Sequence, residues 1–226
     1  DLRLADNPAL HAALEAGHAI VPVYIHAPHE EGEWAPGAAS NAWLHRSLKG
    51  LDEALRARGS ALVLRQGDSL AELQALIKET GAEAVFWNRR YAPATQPRDA
   101  LIKRTLREQG LQADSCNGSL MFEPWDLSTQ QGQPYKVFTP FWRNALTRLH
   151  LPEADAAPAK LQRHRVRGDD LDALGLQPEL GWDSGFWEHW QPGEDGAQDA
   201  LGTFIDGALQ GYRTERDLPD RVGTSR

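Results

Sequence analysis

Short apolar runs alternate with helix-like segments along the first half of the chain, and this alternation restricts the possible folds more than any other feature. The runs AIVPVYIHA, ALVLRQG and AEAVFWNRRY are each followed by a helical pattern, and LQADSCNGSLMF contains the start of a last strand. Parallel strands need such crossover helices, which cover both faces of the sheet. The sequence therefore predicts an α/β fold with a doubly wound, Rossmann-like parallel sheet. The continuous apolar run AIVPVYIHA predicts a strand buried on both faces.

Capping residues and glycines place the helix boundaries. Asn7 and Pro8 predict a helix start, and Gly17 predicts the end of that helix. Apolar residues three and four apart predict a second helix ending at Gly59, and DSLAELQALIKETG predicts a third ending at Gly81. The chain opens directly before a helix, where a doubly wound sheet normally has a strand. We therefore expect the first strand of the sheet to be missing.

The pattern changes beyond Glu123, where turn residues lead to a short helix from about Pro140. Residues 151–190 are rich in Pro, Asp and Ala and lack periodicity, which predicts a long connector. Five of the eight tryptophans lie beyond residue 120, and we expect them to fix this irregular chain onto a core.

A last helix follows the connector, and its apolar residues share one face. They are Ala197, Leu201, Phe204, Ile205, Ala208, Leu209 and Tyr212. Because no earlier segment is an obvious all-α partner, we expect this face to pack on further sequence. These changes in pattern divide the chain into segments 1–128, 129–190 and 191–226.

Composition excludes several classes of protein. The chain is 41% hydrophobic and 25% charged, as in soluble globular proteins, and no run approaches the ~20 apolar residues of a membrane span. The chain has a single cysteine, Cys116, which excludes an internal disulfide framework. The sequence also shows no leader pattern, so we expect a cytoplasmic location and no membrane partner. The net charge of −8 disfavours nucleic-acid binding over the whole surface, although KLQRHRVR at residues 160–167 is a local basic cluster.

Parallel sheets bind ligands at the carboxyl ends of their strands, and the most polar strand end here is WNRRY. Asn88 and Arg89, together with Arg46 on the facing helix, are therefore candidate contacts for a planar ligand. The alternative is a salt-bridge patch between domains. The loop HAPHEE at residues 26–31 is polar, as loops after strands usually are, so no metal site is predicted. The sequence contains neither GxGxxG nor a P-loop.

The chain ends with YRTERDLPDRVGTSR at residues 212–226. A Gly-Thr-Ser turn at a helix start presents hydroxyls and backbone N–H groups, which suit a phosphate or pyrophosphate. The sequence therefore predicts an anion-binding cradle formed by Thr224 and Ser225, together with Arg216 and an inward-facing Tyr212.

Four stretches in the same order resemble the DNA photolyase/cryptochrome family. They are DLRLADNPAL, YKVFTPFWRNAL, WQPGEDGAQDALGTFI and YRTERDLPDRVGTSR. The resemblance implies an α/β antenna-type domain at 1–128, a connector at 129–190 and the beginning of an all-α FAD-binding domain at 191–226. It also implies that the catalytic residues and the rest of the flavin pocket lie beyond Arg226, so the chain alone is expected to be inactive.

The resemblance further implies roles for individual residues. Tyr212, Thr224 and Ser225 match the family's first FAD contacts, and Arg216 matches an arginine that meets damaged DNA near the backbone. The implied reaction is splitting of a flipped-out cyclobutane pyrimidine dimer by blue-light-excited reduced FAD, in a monomer acting on UV-damaged DNA.

The resemblance also allows a second, antenna chromophore, a folate or a deazaflavin, for which Arg46, Asn88 and Arg89 are the candidate contacts. Folate-binding members can carry an Asn-Glu pair where this chain has Ala94 and Thr95, which disfavours that folate mode.

Three functions remain open at this stage. The favoured one is a photolyase, acting on cyclobutane dimers or on (6-4) products. The second is a cryptochrome-like photoreceptor without repair activity. The third is a stand-alone α/β module that binds a nucleotide or a protein, and it requires a last helix whose apolar face is covered within the chain.

Overall fold

The computed structural model describes residues 1–17, 19–151, 153–162 and 164–220. The chain falls into two compact units. The first unit contains Asp1, Arg3–His18 and Ala82–Pro158, and the second contains Leu2, Ala19–Gly81 and Ala159–Arg226.

The helices and strands follow in the predicted alternating order. They are α1 (Pro8–Glu15), β1 (Val23–His26), α2 (Ala38–Ala57), β2 (Val63–Gln66), α3 (Ser69–Thr80), β3 (Ala84–Asn88), α4 (Thr95–Glu108), β4 (Gln112–Cys116), α5 (Phe138–Arg148), α6 (Glu194–Thr203) and α7 (Tyr212–Glu215). Short 3₁₀ turns occur at Pro28–Trp34, Asp172–Leu174 and Ser184–Glu188, and a π turn occurs at Phe204–Ala208. Among the described helices, none combines the length and apolar character needed to cross a bilayer.

Each unit contains one pair of parallel strands joined by a helix. In the second unit β1 pairs with β2, so that Val23 lies opposite Val63. In the first unit β3 pairs with β4, and Asn88 lies opposite Cys116 at the carboxyl ends. Helices α2 and α4 make the two crossovers, which confirms the predicted α/β class with parallel strands.

Local capping signals place the helix ends as predicted. The Asn7 side chain accepts a hydrogen bond from the Leu10 N–H at 3.2 Å, and Asp68 caps α3 in the same way. Gly81 ends α3 in the left-handed conformation with φ of 69°.

Helix α4 begins at Thr95, earlier than the predicted RDALIKRTLREQG segment. The Ala92 carbonyl already accepts hydrogen bonds from the N–H groups of Thr95 and Gln96. Pro97 is tolerated because it lies in the first turn, where its missing N–H leaves no helical bond unmade.

Strand β1 is shorter and more exposed than predicted. It begins at Val23, which is 36% exposed, and its other residues are half-buried. Pro22 precedes the strand, and its carbonyl accepts a hydrogen bond from the Val63 N–H at 2.9 Å. Because Pro has no N–H to donate, the ladder does not extend upstream through this residue. The prediction of a strand buried on both faces was wrong.

The last helix is interrupted, whereas the sequence pattern predicts a continuous one. Helix α6 ends at Thr203, the π turn follows, and α7 begins at Tyr212. Leu201, Ile205 and Leu209 on the predicted apolar face remain 50%, 51% and 50% exposed in the described part of the chain.

The connector contributes to the core of the second unit. Leu174 and Leu176 are buried and pack with Leu48 of α2 and Leu64 of β2. Each fully buried leucine contributes about 1.5–3 kcal/mol of hydrophobic stabilisation. Buried leucines therefore anchor this stretch of the connector to the core, a role that the sequence pattern assigned to the tryptophans.

The connector also runs along the backbone of β2. The Asp169 N–H donates to the Leu64 carbonyl at 2.8 Å. A Cβ added at Gly168 would lie 2.8 Å from the Leu64 nitrogen and 3.2 Å from its carbonyl oxygen. Gly168 therefore permits a close approach of two backbones that a side chain would prevent.

We expect Gly168→Ala to destabilise the chain by about 1–3 kcal/mol, because the added methyl overlaps backbone atoms that cannot rotate away. Gly181→Ala is the matched control, since a Cβ there meets no described heavy atom within 4 Å. Urea unfolding of both variants measures the difference. Equal stability of the two would show that the connector does not lie against β2.

Candidate functional site

Asn88 is held at the carboxyl end of β3 by hydrogen bonds within the first unit. Its side-chain oxygen accepts from the Ala9 N–H at 3.1 Å, and its amide nitrogen donates to Asp1 at 2.9 Å and Asn7 at 2.8 Å. A Cβ added at Gly118 would lie 2.6 Å from the Asn88 side-chain carbon Cγ. Gly118 therefore leaves the space that the amide occupies, and a ligand acceptor at the Asn88 amide nitrogen must replace one of its two bonds.

Arg89 belongs to an ion network at the same strand end. Its guanidinium donates to the Ser115 carbonyl at 2.6 Å and to Glu123 Oε1 at 2.5 Å and 3.0 Å. The Tyr91 hydroxyl donates to the other Glu123 oxygen at 2.8 Å. Glu123 is only 7% exposed. The network thus ties the loop after β4 to the end of β3.

The electrostatics of this network favour its charged and hydrogen-bonded form. Burial lowers the pKa of the Arg89 guanidinium, but hydrogen bonds with Tyr91 and Glu123 and the charge of Glu123 outweigh it, so the pKa is raised. Burial also raises the pKa of the Tyr91 hydroxyl. Arg89 therefore remains a cation, and Tyr91 remains a hydrogen-bond donor, throughout the physiological range.

Arg46 belongs to the second unit, where it contacts an aromatic cluster. Its guanidinium lies 4.0 Å from the centre of the Trp187 ring, and Trp187 contacts Trp43 and Phe186. The cluster also includes Trp182 and Trp190, which are 45% and 55% exposed. Asn88 and Arg89 belong to the first unit. That Arg46, Asn88 and Arg89 form one antenna site stays a prediction.

Tyr212 and Arg216 contact each other at the end of the described chain. The Tyr212 ring packs edge-to-face on Phe204, with centroids 5.7 Å apart and planes at 90°. The Arg216 guanidinium lies 5.7 Å from the Tyr212 ring centre and is 3.7 Å from the Asp217 carboxylate. The remaining predicted contacts, Thr224 and Ser225, lie outside the described residues.

A group of potential metal ligands occurs at the ends of β1 and β2. Ligand atoms of His29, Glu30 and Asp68 lie within 4.8 Å of one another. The Glu30 carboxylate accepts hydrogen bonds from the N–H and hydroxyl of Ser69 at 2.7 Å and 2.6 Å, and Asp68 accepts from the Ala71 N–H. Both carboxylates therefore accept hydrogen bonds from residues in the first turn of α3 and stabilise the start of this helix.

Sequence reasoning missed three residues that shape these sites. Glu123 follows an irregular stretch, and nothing in FEPW distinguishes a buried carboxylate from an exposed one. Gly118 lies in a turn after β4, where a glycine is ordinary. Phe204 was assigned to the apolar face, but its ring contact with Tyr212 follows from the π turn, which the apolar spacing does not reveal.

Comparison with known proteins identifies the family. The sequence model of the DNA photolyase family matches residues 1–160. The deoxyribodipyrimidine photo-lyase of Agrobacterium fabrum is 45% identical over 229 residues, which cover 100% of this chain and 47% of that protein. Cryptochrome-1 of Arabidopsis thaliana is 36% identical over 100% of this chain and 34% of its own length. The chain belongs to the DNA photolyase/cryptochrome family, and it spans about half the length of the photo-lyase relative.

Solved structures agree with this assignment. A bacterial class III photolyase from Agrobacterium tumefaciens has a TM-score of 0.90 at 43% identity, covering 99% of this chain and 46% of that one. The Synechocystis sp. PCC6803 cryptochrome has a TM-score of 0.76 at 22% identity, covering 96% and 47%, a likeness that concerns the fold alone. The predicted fold class is thereby confirmed.

We expect Arg89→Met to lower the free energy of unfolding by about 2–4 kcal/mol, because it leaves the buried Glu123 carboxylate without its cation. The double variant Arg89→Met/Glu123→Gln should recover part of this loss, since no buried charge remains. Arg107→Met is the control, because Arg107 is 53% exposed in its pair with Asp114. Urea unfolding compares them, and equal losses for the two single variants would contradict a stabilising role for the network.

Cys116 is a chemical reporter of the same strand end, since the chain contains one cysteine. Burial raises the pKa of its thiol, which reduces the thiolate fraction at neutral pH. We expect the rate of reaction with a disulfide reagent to rise with pH at a midpoint above that of free cysteine. The pH–rate profile measures this, and a midpoint at or below that of free cysteine would contradict the burial.

Proposed function

We propose that the whole protein carrying this sequence is a deoxyribodipyrimidine photolyase that splits cyclobutane pyrimidine dimers in UV-damaged DNA. The observation that carries this proposal is 45% identity, over the complete chain, to the photo-lyase of Agrobacterium fabrum. The TM-score of 0.90 to a class III photolyase supports it. Reduced FAD, when bound and excited by blue light, would supply an electron to the dimer and regain it after both C–C bonds between the pyrimidines have broken.

The segment around Tyr212 is proposed to help bind the anionic bridge of FAD. A pyrophosphate needs hydrogen-bond donors and positive charge at fixed positions. Tyr212 offers a hydroxyl on a ring that contacts Phe204 and Arg216. Arg213 and Arg216 supply positive charge within and directly after the four-residue helix α7. We therefore assign Tyr212 as an FAD contact, together with Thr224 and Ser225.

Arg216 is proposed to meet the backbone of damaged DNA. Its side chain is 55% exposed, and its contact with the Tyr212 ring places its charge beside the proposed FAD contact. An arginine that contacts phosphates positions a nucleic acid without sequence preference, as repair of lesions in any sequence requires.

The domain assignments follow from this proposal. Residues 1–128 form the antenna-type domain, 129–190 the connector and 191–226 the beginning of the FAD-binding domain. The antenna chromophore is a folate or a deazaflavin, with Arg46, Asn88 and Arg89 as candidate contacts. The stacked Arg46–Trp187 pair is a suitable surface for a planar chromophore, since both groups are flat.

A cryptochrome-like photoreceptor without repair activity is the second candidate. It is favoured by 36% identity over the complete chain to Cryptochrome-1 of Arabidopsis thaliana. The two candidates share the proposed FAD contacts and differ in whether a flipped-out pyrimidine dimer is bound and split.

Photolyase activity predicts light-dependent loss of the dimer from an oligonucleotide that carries one thymine dimer. The whole protein, with its flavin fully reduced, is irradiated with blue light, and chromatography measures the restored thymines. A dark sample is the control, and an oligonucleotide with a (6-4) product tests the alternative lesion. Lack of repair of both lesions by the fully reduced protein would favour the photoreceptor. The 226-residue chain alone is expected to neither retain FAD nor repair either lesion.

A further inference from the structure

The path of the chain between α6 and α7 brings two distant aromatic residues together. In a continuous α-helix, residues eight apart are separated by about 12 Å along the axis. The rings of Phe204 and Tyr212 nevertheless lie 5.7 Å apart and perpendicular. The chain must therefore leave the α-helical path between these two positions.

Two backbone hydrogen bonds show how it does so. The Leu209 N–H donates to the Phe204 carbonyl five residues back, at 2.9 Å, and closes the π turn. The Tyr212 N–H then donates to the Leu209 carbonyl at 3.3 Å in a tighter turn. The wide turn followed by the tight one folds Tyr212 back onto Phe204.

We infer that Phe204 and the π turn are positioning elements that fix the direction of the Tyr212 hydroxyl. This inference rests on the proposed function, in which Tyr212 contacts FAD. An edge-to-face ring pair favours one orientation of the Tyr212 ring, and single π turns inside helices are frequent at functional sites. Phe204 is therefore a positioning residue that acts through Tyr212.

Within the described residues, the contact between Phe204 and Tyr212 forms without burial of the neighbouring apolar side chains. Ile205 lies beside Phe204 within the π turn and Leu209 closes the turn, yet both remain about half exposed, at 51% and 50%. Phe204 is half-buried, and its ring lies against Tyr212. Within the described part of the chain, the turn thus brings these two rings into contact.

Flavin retention by the whole protein tests the inference. We expect Phe204→Leu to raise the rate of FAD dissociation about two- to ten-fold, the range for one edge-to-face ring pair, and Phe204→Tyr to retain the original rate. Leu201→Met is the control, because Leu201 is a half-exposed apolar residue of α6 that lies outside the π turn. The double variant Phe204→Leu/Tyr212→Leu should release FAD no faster than Tyr212→Leu alone.

A second readout does not depend on flavin. Protein labelled with 3-fluorotyrosine gives a ¹⁹F signal for Tyr212, assigned by its loss in Tyr212→Phe. We expect this signal to shift in Phe204→Leu and to stay unchanged in Leu201→Met. Phe204→Met serves as a milder variant if Phe204→Leu does not fold.

The outcomes separate the inference from the proposed function. If Tyr212→Leu releases FAD at the original rate, the proposed FAD contact at Tyr212 is wrong, and the positioning role falls with it. If Tyr212→Leu releases FAD faster but Phe204→Leu and Phe204→Met do not, the positioning inference alone is overturned. Additive effects in the double variant, or an unchanged ¹⁹F signal, would also overturn it.

Discussion

Parallel strand pairing is the constraint on which the rest of the structure depends. Two neighbouring parallel strands cannot be joined by a tight turn, so the chain must return through a helix after each strand. Helix α2 makes this return between β1 and β2, and α4 makes it between β3 and β4. The carboxyl ends of each pair therefore lie at one edge, and polar side chains that follow the strands are brought together there.

At both strand ends, these neighbouring side chains form hydrogen bonds with other parts of the same unit. In the first unit, Asn88 and Arg89 bind to groups contributed by α1, β4 and the loop that carries Glu123. In the second unit, Glu30 and Asp68 bind to the first turn of α3. Parallel sheets usually place ligands at such ends, but here the side chains also hold loops and helices to the strands. Binding and stability are therefore linked at these positions.

The features predicted best from the sequence were those that depend on residues close together in the chain. Asn7, Asp68 and Gly81 act within one turn of their own position, and the structure uses them as the pattern indicated. The strand–helix alternation gave the parallel α/β class for the same reason. Contacts between residues distant in the sequence were harder to predict. The burial of Glu123 depends on Arg89, 34 residues away, and no local pattern reports that pairing.

The π turn is a further case in which local patterns are insufficient. The spacing of Leu201, Ile205 and Leu209 fits an uninterrupted helix, so the apolar pattern does not reveal the π turn. Its effect appears only in which side chains meet, here Phe204 and Tyr212. The family resemblance could thus name Tyr212 as a candidate FAD contact, whereas its ring contact with Phe204 could not be predicted from the sequence.

The close passage of the connector over β2 has a consequence for association. The Val63 N–H points toward β1, so the carbonyl of the next residue, Leu64, lies on the opposite side of the strand. The Asp169 N–H occupies that carbonyl, and Gly168 presses against the same backbone. An open strand edge is a template on which another chain can add a strand. By lying there, the connector shields β2 from edge-to-edge aggregation.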